Sequence, residues 1–129
     1  MLFRSAWSTA DRQRRAALRA RAEEQGRIIR GWRMHCEANF GHLANIVDGR
    51  LACLDDRDEL AVRLFEEAAS LAIKHKFLQH AALAYELLAQ QHLKCKRPEL
   101  ARNAFDAAAN TYQRWGAHLK VQDVRAQRP

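Results

Sequence analysis

The chain has 129 residues, a formal net charge of +7, 48% hydrophobic residues and 29% charged residues, which suits one folded domain with a sizeable core. Only five Gly and two Pro are present, and this excludes collagen, low-complexity disorder and a loop-rich all-β protein. No apolar run approaches the roughly 20 residues of a membrane span, and the first ten residues lack the apolar core of a signal peptide. We therefore expect a cytoplasmic location without membrane insertion.

Hydrophobic periodicity predicts six helices and no strand. Apolar residues recur at i, i+3, i+4 and i+7 in the four central segments, and β-branched residues do not alternate over the length of a strand. Pro98 stands where a proline begins a helix, and Gly116 stands where a glycine ends one. The fold class is therefore all-α, and the predicted helices span residues 9–35, 39–54, 58–75, 78–95, 99–115 and 118–126.

A shift of 40 residues aligns the chain with itself. The second helix of each copy carries the pattern Ala-x3-Phe-x2-Ala, beginning at Ala61 and again at Ala101, which is typical of tetratricopeptide-type repeats. In that pattern the small residues let paired helices approach closely, and the phenylalanine fills the space between pairs. The period exceeds the ~34 residues of the standard repeat. We predict a tetratricopeptide-like α-α superhelix of two helix pairs with flanking helices. Nine identities share this register: 43/83, 44/84, 57/97, 59/99, 60/100, 61/101, 65/105, 68/108 and 69/109.

Three stretches, residues 32–42, 77–89 and 112–121, contain distinctive strings such as Cys-x2-Asn-Phe from Cys36 and Tyr-x-Arg-Trp-Gly-Ala from Tyr112. Over residues 27–124 the chain resembles the helical repeat region of large bacterial multidomain signalling ATPases and sensor histidine kinases. That family joins the repeats to kinase-like, NTPase and GAF domains. Here the phosphate-binding loop and the glycine-rich kinase loop are absent, so the resemblance implies a repeat module without ATPase or kinase activity. Whether the chain is an independent protein or a detached fragment of such a protein stays open.

No set of residues specifies catalysis, a cofactor or a small-molecule substrate. The three cysteines are odd in number and far apart, so we expect reduced thiols. The pairs that resemble metal ligands are His35 and Cys36 with His42, and His92 with Cys95. Neither group has the four converging ligands of a closed zinc site. We predict a protein that is not an enzyme and holds neither metal nor cofactor.

The positive charge is concentrated at the start of the chain. Residues 1–33 carry nine arginines against three acidic residues, a net charge of +6, whereas residues 34–129 carry 13 basic against 12 acidic residues. We divide the chain into a basic, Arg-rich helical extension at 1–26 and a helical repeat domain at 27–126. The front half of the first helix has few large apolar residues, so we expect it to be solvated and weakly attached. Four interpretations stay open: a solvated helix face, an arm that binds nucleic acid or another polyanion, a contact with a membrane surface, and a gene start without a selected role.

Stacked helix pairs present a concave surface, which the exposed positions of each pair's first helix line. In the repeat register these positions are near Arg50, Glu86 and Gln90. We hypothesise a non-catalytic helical repeat module for protein–protein interaction or signal coupling. Uncovered ends of a short stack also favour self-association or a partner at an end face, although Trp115 is predicted to close the last layer. The alternative is a nucleic-acid-associated regulator that binds through its Arg-rich segment.

Overall fold

The computed structural model describes residues 9–33 and 36–129. Over these ranges it contains six helices and no strand, which confirms the all-α prediction, and each predicted helix end lies within two residues of the observed one. The first eight residues of the predicted extension, and His35 of the candidate metal ligands, lie outside the described ranges. The helices are α1 (Thr9–Arg33), α2 (Glu37–Leu54), α3 (Asp58–Lys74), α4 (Leu78–Lys94), α5 (Pro98–Trp115) and α6 (His118–Gln127).

Each helix packs against the next one in the chain, and α2 also contacts α4. Helix α1 is continuous from Thr9 to Arg33, so the predicted division between residues 26 and 27 falls inside one helix. None of the described helices has the length and apolarity that crossing a membrane requires. The chain therefore forms a sequential array in which contacts are made mainly between neighbours.

The turns after α2, α3, α4 and α5 have the same geometry. Each contains one residue with positive φ, namely Asp56 at 57°, Lys76 at 67°, Lys96 at 60° and Gly116 at 91°. The N–H of the following residue donates to a carbonyl inside the preceding helix, at 2.8 to 2.9 Å. This is the Schellman arrangement, which satisfies carbonyls that the helix end would leave without a partner. The glycine cap predicted at Gly116 is confirmed, whereas three of the four turns use a residue with a side chain.

The core between the helix pairs is built from two phenylalanines surrounded by alanines. Phe65 of α3 and Phe105 of α5 are each 1% exposed, so the prediction that they occupy equivalent buried positions is confirmed. The alanines of the repeated motif, at residues 61, 68, 101 and 108, are completely buried. Their small side chains let the helix backbones approach closely enough for the two rings to fill the remaining space.

Helix α2 approaches the Phe65 ring at Gly49. A Cβ atom on Gly49 would lie 2.5 Å from Cε1 and 2.8 Å from Cδ1 of that ring, closer than van der Waals contact allows. Because Phe65 is buried, the ring has little space into which it could retreat. The absence of a side chain at this position therefore sets the spacing between α2 and α3.

The C-terminal end of the array differs from the sequence-based expectation. Trp115 is 52% exposed, so the prediction that it closes the last layer is wrong: α6 closes that layer instead, through the buried Val121 and Val124. At the other end Trp32 is 50% exposed and only partly covered by Phe40, whose ring centroid lies 5.3 Å away.

A hydrogen-bonded pair of histidines, of which His42 is buried, connects the first helix pair to the second. His42 of α2 is 1% exposed, and its Nε2 atom lies 2.9 Å from Nδ1 of His80 in α4. Its ring stacks on Phe77 with 4.7 Å between the centroids, and its Nδ1 atom has no hydrogen-bond partner among the residues that the structure describes. Burial, and then the neighbouring His80 and His75, lower the pKa of His42 to about 4. His42 is therefore neutral in the folded protein at neutral pH.

Replacing Gly49 with alanine should destabilise the fold, because the new Cβ overlaps the buried Phe65 ring. Overpacking of this kind costs about 1–3 kcal/mol, more than the gain of up to ~1 kcal/mol that alanine brings to a helix interior. The matched control is Gly31→Ala in α1, where a Cβ meets nothing within 4 Å. Urea denaturation should show a lower free energy of unfolding for Gly49→Ala and an unchanged or higher one for the control. Equal stability of the two variants would contradict the close contact.

Stability should fall as the pH is lowered from about 6.5 towards 4, because the unfolded chain binds a proton at His42 that the folded chain excludes. A pKa depression of this size corresponds to a loss of about 3 kcal/mol. This stability is fully present above pH 6.5. In urea titrations at several pH values, His42→Leu should lose much of this slope, while the exposed control His118→Leu should keep it. A wild-type slope in His42→Leu would show that other groups cause the pH dependence.

Candidate protein-binding groove

A groove of about 380 Å³ lies between α1, α2 and α4, with the buried Phe65 of α3 at its base. It brings together two of the three predicted binding residues, Arg50 and Gln90, which are both exposed. They are equivalent positions in the 40-residue repeat. The groove is lined by Leu18, Ala22, Arg50, Cys53, Leu54, Phe65, Leu87, Gln90, Gln91 and Lys94, and none of these residues is acidic.

Helix α1 supplies one wall of the groove. Leu18 and Ala22 lie one turn apart on the same helix face, and Leu18 is 48% exposed although it is a large apolar residue. This wall was not among the features predicted from the sequence. A signal was present, since Leu18 is the one large apolar side chain between residues 9 and 27.

Arginines of the Arg-rich segment attach α1 to the end of α2. Arg15 donates to the carbonyl of Leu54 and lies 3.6 Å from the carboxylate of Asp56, and Arg19 forms an ion pair with Asp55. These guanidinium groups supply a hydrogen bond to a carbonyl at the C-terminal end of α2 and offset the negative charge there. Cations are favourable at that end of a helix. The front half of this helix is solvated as expected, since most of residues 9–25 are exposed, but from Arg15 onward these contacts join it to the end of α2.

The floor of the groove contains a polar group that is fully satisfied. The buried amide of Gln91 donates to Asp58 at 2.8 Å and accepts from the Cys53 thiol at 3.1 Å. That hydrogen bond lowers the pKa of Asp58, and burial raises the pKa of the Cys53 thiol against the opposing effect of Lys94. A thiol is nucleophilic only as the thiolate, and the raised pKa of Cys53 disfavours that form.

The positive charges at the rim are not equivalent. The ammonium group of Lys94 lies 3.4 Å from carboxylate oxygens of both Asp56 and Asp58. Arg50 is exposed, and its guanidinium forms no ion pair with any residue in the described ranges. Arg50 is therefore the cation in the groove whose charge is available to a ligand.

Glu86, the third predicted binding residue, does not lie on an exposed surface. It is 6% exposed and accepts hydrogen bonds from the Tyr112 hydroxyl at 2.8 Å and the Gln127 amide at 2.9 Å, while Lys120 Nζ lies 3.2 Å away. Burial and this carboxylate raise the pKa of Tyr112. The repeat alignment indicates burial at this position, because the equivalent residue in the first copy is the buried Ile46. Glu86 instead ties α4 to α5 and α6.

The other candidate ligands do not assemble into a metal site. No group of three or more His, Cys, Asp and Glu side chains in the described part of the chain is arranged to hold a metal ion. His92 is buried, and its Nδ1 atom lacks a hydrogen-bond partner. It lines a second groove, of about 490 Å³, between α3, α4 and α5. An ion pair between Arg97 and Glu59 lies at that groove, so its lining carries both signs of charge.

The attachment of α1 should depend on Arg15 and Arg19 and not on the charge of the segment. A variant with Arg15→Ala and Arg19→Ala removes both contacts with the end of α2, whereas the control Arg14→Ala with Arg21→Ala removes two exposed arginines of the same helix. Partly exposed polar contacts contribute about 0.5–1 kcal/mol each, so amide exchange in α1 should accelerate about 5–30-fold in the first variant only. Hydrogen exchange measured by mass spectrometry tests this. Equal acceleration in both variants would mean that these contacts do not hold α1.

Comparison with known proteins identifies no relative that indicates a function. No family model matches the chain, and no curated protein and no solved structure is significantly similar to it. The observations that bear on function are therefore the repeated helix pairs, the groove that they form with α1, and the charges around it.

Proposed function

We propose that this chain is a non-catalytic, tetratricopeptide-like repeat module that binds a segment of another protein in the groove between α1, α2 and α4. The observation that carries the proposal is the groove itself, in which an apolar wall and floor are bordered by exposed polar side chains. Protein surfaces that bind peptides combine these two features, because apolar burial supplies affinity and polar groups supply specificity.

The repeated geometry supports the superhelical part of this proposal. Phe65 and Phe105 are buried to the same extent. The turns that follow α2 and α4 each contain a residue with left-handed backbone conformation at the equivalent repeat position, Asp56 in one and Lys96 in the other. Helices in equivalent positions, α2 and α4, contact each other, as the first helices of successive pairs do in a solenoid. Arg50 and Gln90 then line the surface that such arrays use for binding.

In the signalling proteins that the sequence resembles, the repeats connect enzymatic and sensor domains. We extend the proposal in that direction: the groove couples a signal by holding a segment of a partner protein in a bacterial cytoplasm. A second copy is a further candidate partner at the ends of the array, since Trp32 at one end and Trp115 and Leu119 at the other are half or more exposed.

The nucleic-acid alternative is weakened by the contacts of the arginines. Arg15, Arg19 and Arg30 each pair with an aspartate of α2 or of the turn that follows it. A phosphate backbone would have to compete with these intramolecular partners. Electrostatic binding to nucleic acid depends on the number of cations that are free to contact phosphates, and here several are already in use.

Filling the groove should abolish partner binding. Ala22→Trp places a large side chain in it, while the control Ala20→Trp places the same side chain on the opposite, exposed face of α1, because two residues correspond to about 200° around a helix. Tagged chain would be cross-linked and purified from the producing cells, with circular dichroism to verify that both variants fold. Proteins recovered with wild type and with Ala20→Trp should be absent with Ala22→Trp.

Two other outcomes would decide against the proposal. Identical partner sets for the two tryptophan variants would show that the groove is not the binding site. Recovery that disappears after nuclease treatment, and also in Arg14→Ala with Arg21→Ala, would support the nucleic-acid alternative.

A further inference from the structure

We propose that the segment bound in this groove is acidic and presents a bulky apolar side chain next to its carboxylates. This inference rests on the proposed function and identifies the chemistry of the partner. The first observation is the charge of the lining: Arg50 and Lys94 are present among ten residues, and no acidic side chain is. A partner of opposite charge is favoured, and a basic partner is disfavoured by repulsion.

Arg50 is the residue that would contact a carboxylate of the partner. It lies one turn before Cys53 on α2 and is exposed, with no ion pair to a described residue. A guanidinium can bind a carboxylate through two parallel hydrogen bonds. Lys94 contributes less, because Asp56 and Asp58 already share its charge.

The apolar part of the groove would hold one large side chain. Its apolar lining comes from all four helices: Leu18 and Ala22 of α1, Leu54 of α2, Phe65 of α3 and Leu87 of α4. The volume of about 380 Å³ falls within the range of roughly 300–1,000 Å³ that accommodates compact ligands. An aliphatic or aromatic side chain inserted here would cover Leu18, which is otherwise 48% exposed.

The surrounding charge favours the same class of partner. Residues 9–33, which form α1, carry eight arginines against three acidic residues, and Arg14 and Arg21 are exposed on this helix, which forms the wall. A positive field around a binding groove accelerates the approach of an acidic partner, and the effect weakens as salt increases. The Arg-rich segment therefore has two roles: Arg15 and Arg19 hold α1 against the end of α2, and exposed arginines such as Arg14 and Arg21 attract the acidic ligand.

A library of random 12-residue peptides, displayed on phage and selected against the full chain, provides the test. Selected peptides should combine several Asp or Glu residues with a Leu, Ile, Phe or Trp residue. Synthetic, fluorescently labelled copies of these peptides would then be measured by anisotropy. Arg50→Glu should weaken binding about tenfold or more, and Arg50→Lys should weaken it less, because it keeps the charge and loses the bidentate geometry.

The matched control is Arg63→Glu, the same charge reversal at an exposed position of α3 outside the groove. It should change the affinity by less than about twofold, and raising the salt concentration should weaken binding to wild type. Circular dichroism should show unchanged helicity for all three variants.

The possible failures are distinguishable. Selection of neutral or basic peptides that bind wild type and Arg50→Glu equally, but not Ala22→Trp, would overturn the acidic partner and leave the groove as a binding site. Two results would overturn the proposed function itself. The selected peptides could bind Ala22→Trp as tightly as they bind wild type, or the selection could enrich no peptide that prefers wild type to Ala22→Trp.

Discussion

The close approach of α2 to the Phe65 ring at Gly49 is the contact on which the rest of the architecture depends. Because Gly49 has no side chain, the ring can lie against the α2 backbone, and completely buried alanines of α3 and α4 belong to the same core cluster. Interiors of this kind are close-packed, so a change of one methyl group at such a position must displace a neighbour. The same ring reaches the base of the groove, which makes core packing and the shape of the binding surface interdependent.

Electrostatics organise the outer layer of the molecule in a different way. The acidic turn at residues 55–57 lies where α2 ends and α3 begins, so its carboxylates favour the start of α3 and disfavour the end of α2. Arg15 and Arg19 of α1 offset that unfavourable charge by contacting the same turn. The groove exists because these contacts hold α1, and with it Leu18 and Ala22, beside α2. Three arginines of a stretch that resembles a nucleic-acid arm in the sequence, Arg15, Arg19 and Arg30, thus make contacts within the molecule.

Much of the fold was predictable from local patterns, and the groove only in part. Helical periodicity and turn residues located all six helices, and the 40-residue register identified Phe65 and Phe105 as equivalent core positions. The register also placed Arg50 and Gln90 on one surface. It misassigned Glu86, because a carboxylate is usually exposed, although the equivalent Ile46 indicated a buried position. The partners that make burial of Glu86 tolerable, Tyr112, Lys120 and Gln127, lie 26 to 41 residues away in the chain.

The sequence by itself determined the helices, their order and the repeated small and large residues that make them pack in pairs, because these properties depend on the nearest turns of the chain. Only the tertiary structure decided which exposed residues form one surface. Whether Arg19 faces solvent or Asp55, whether Trp115 is covered, and whether Leu18 borders a groove all depend on how α1 and α6 dock on the repeats. Docking is set by the sum of weak contacts between distant segments, such as an ion pair at one end and the fit of apolar side chains at the other, and no local pattern encodes that sum.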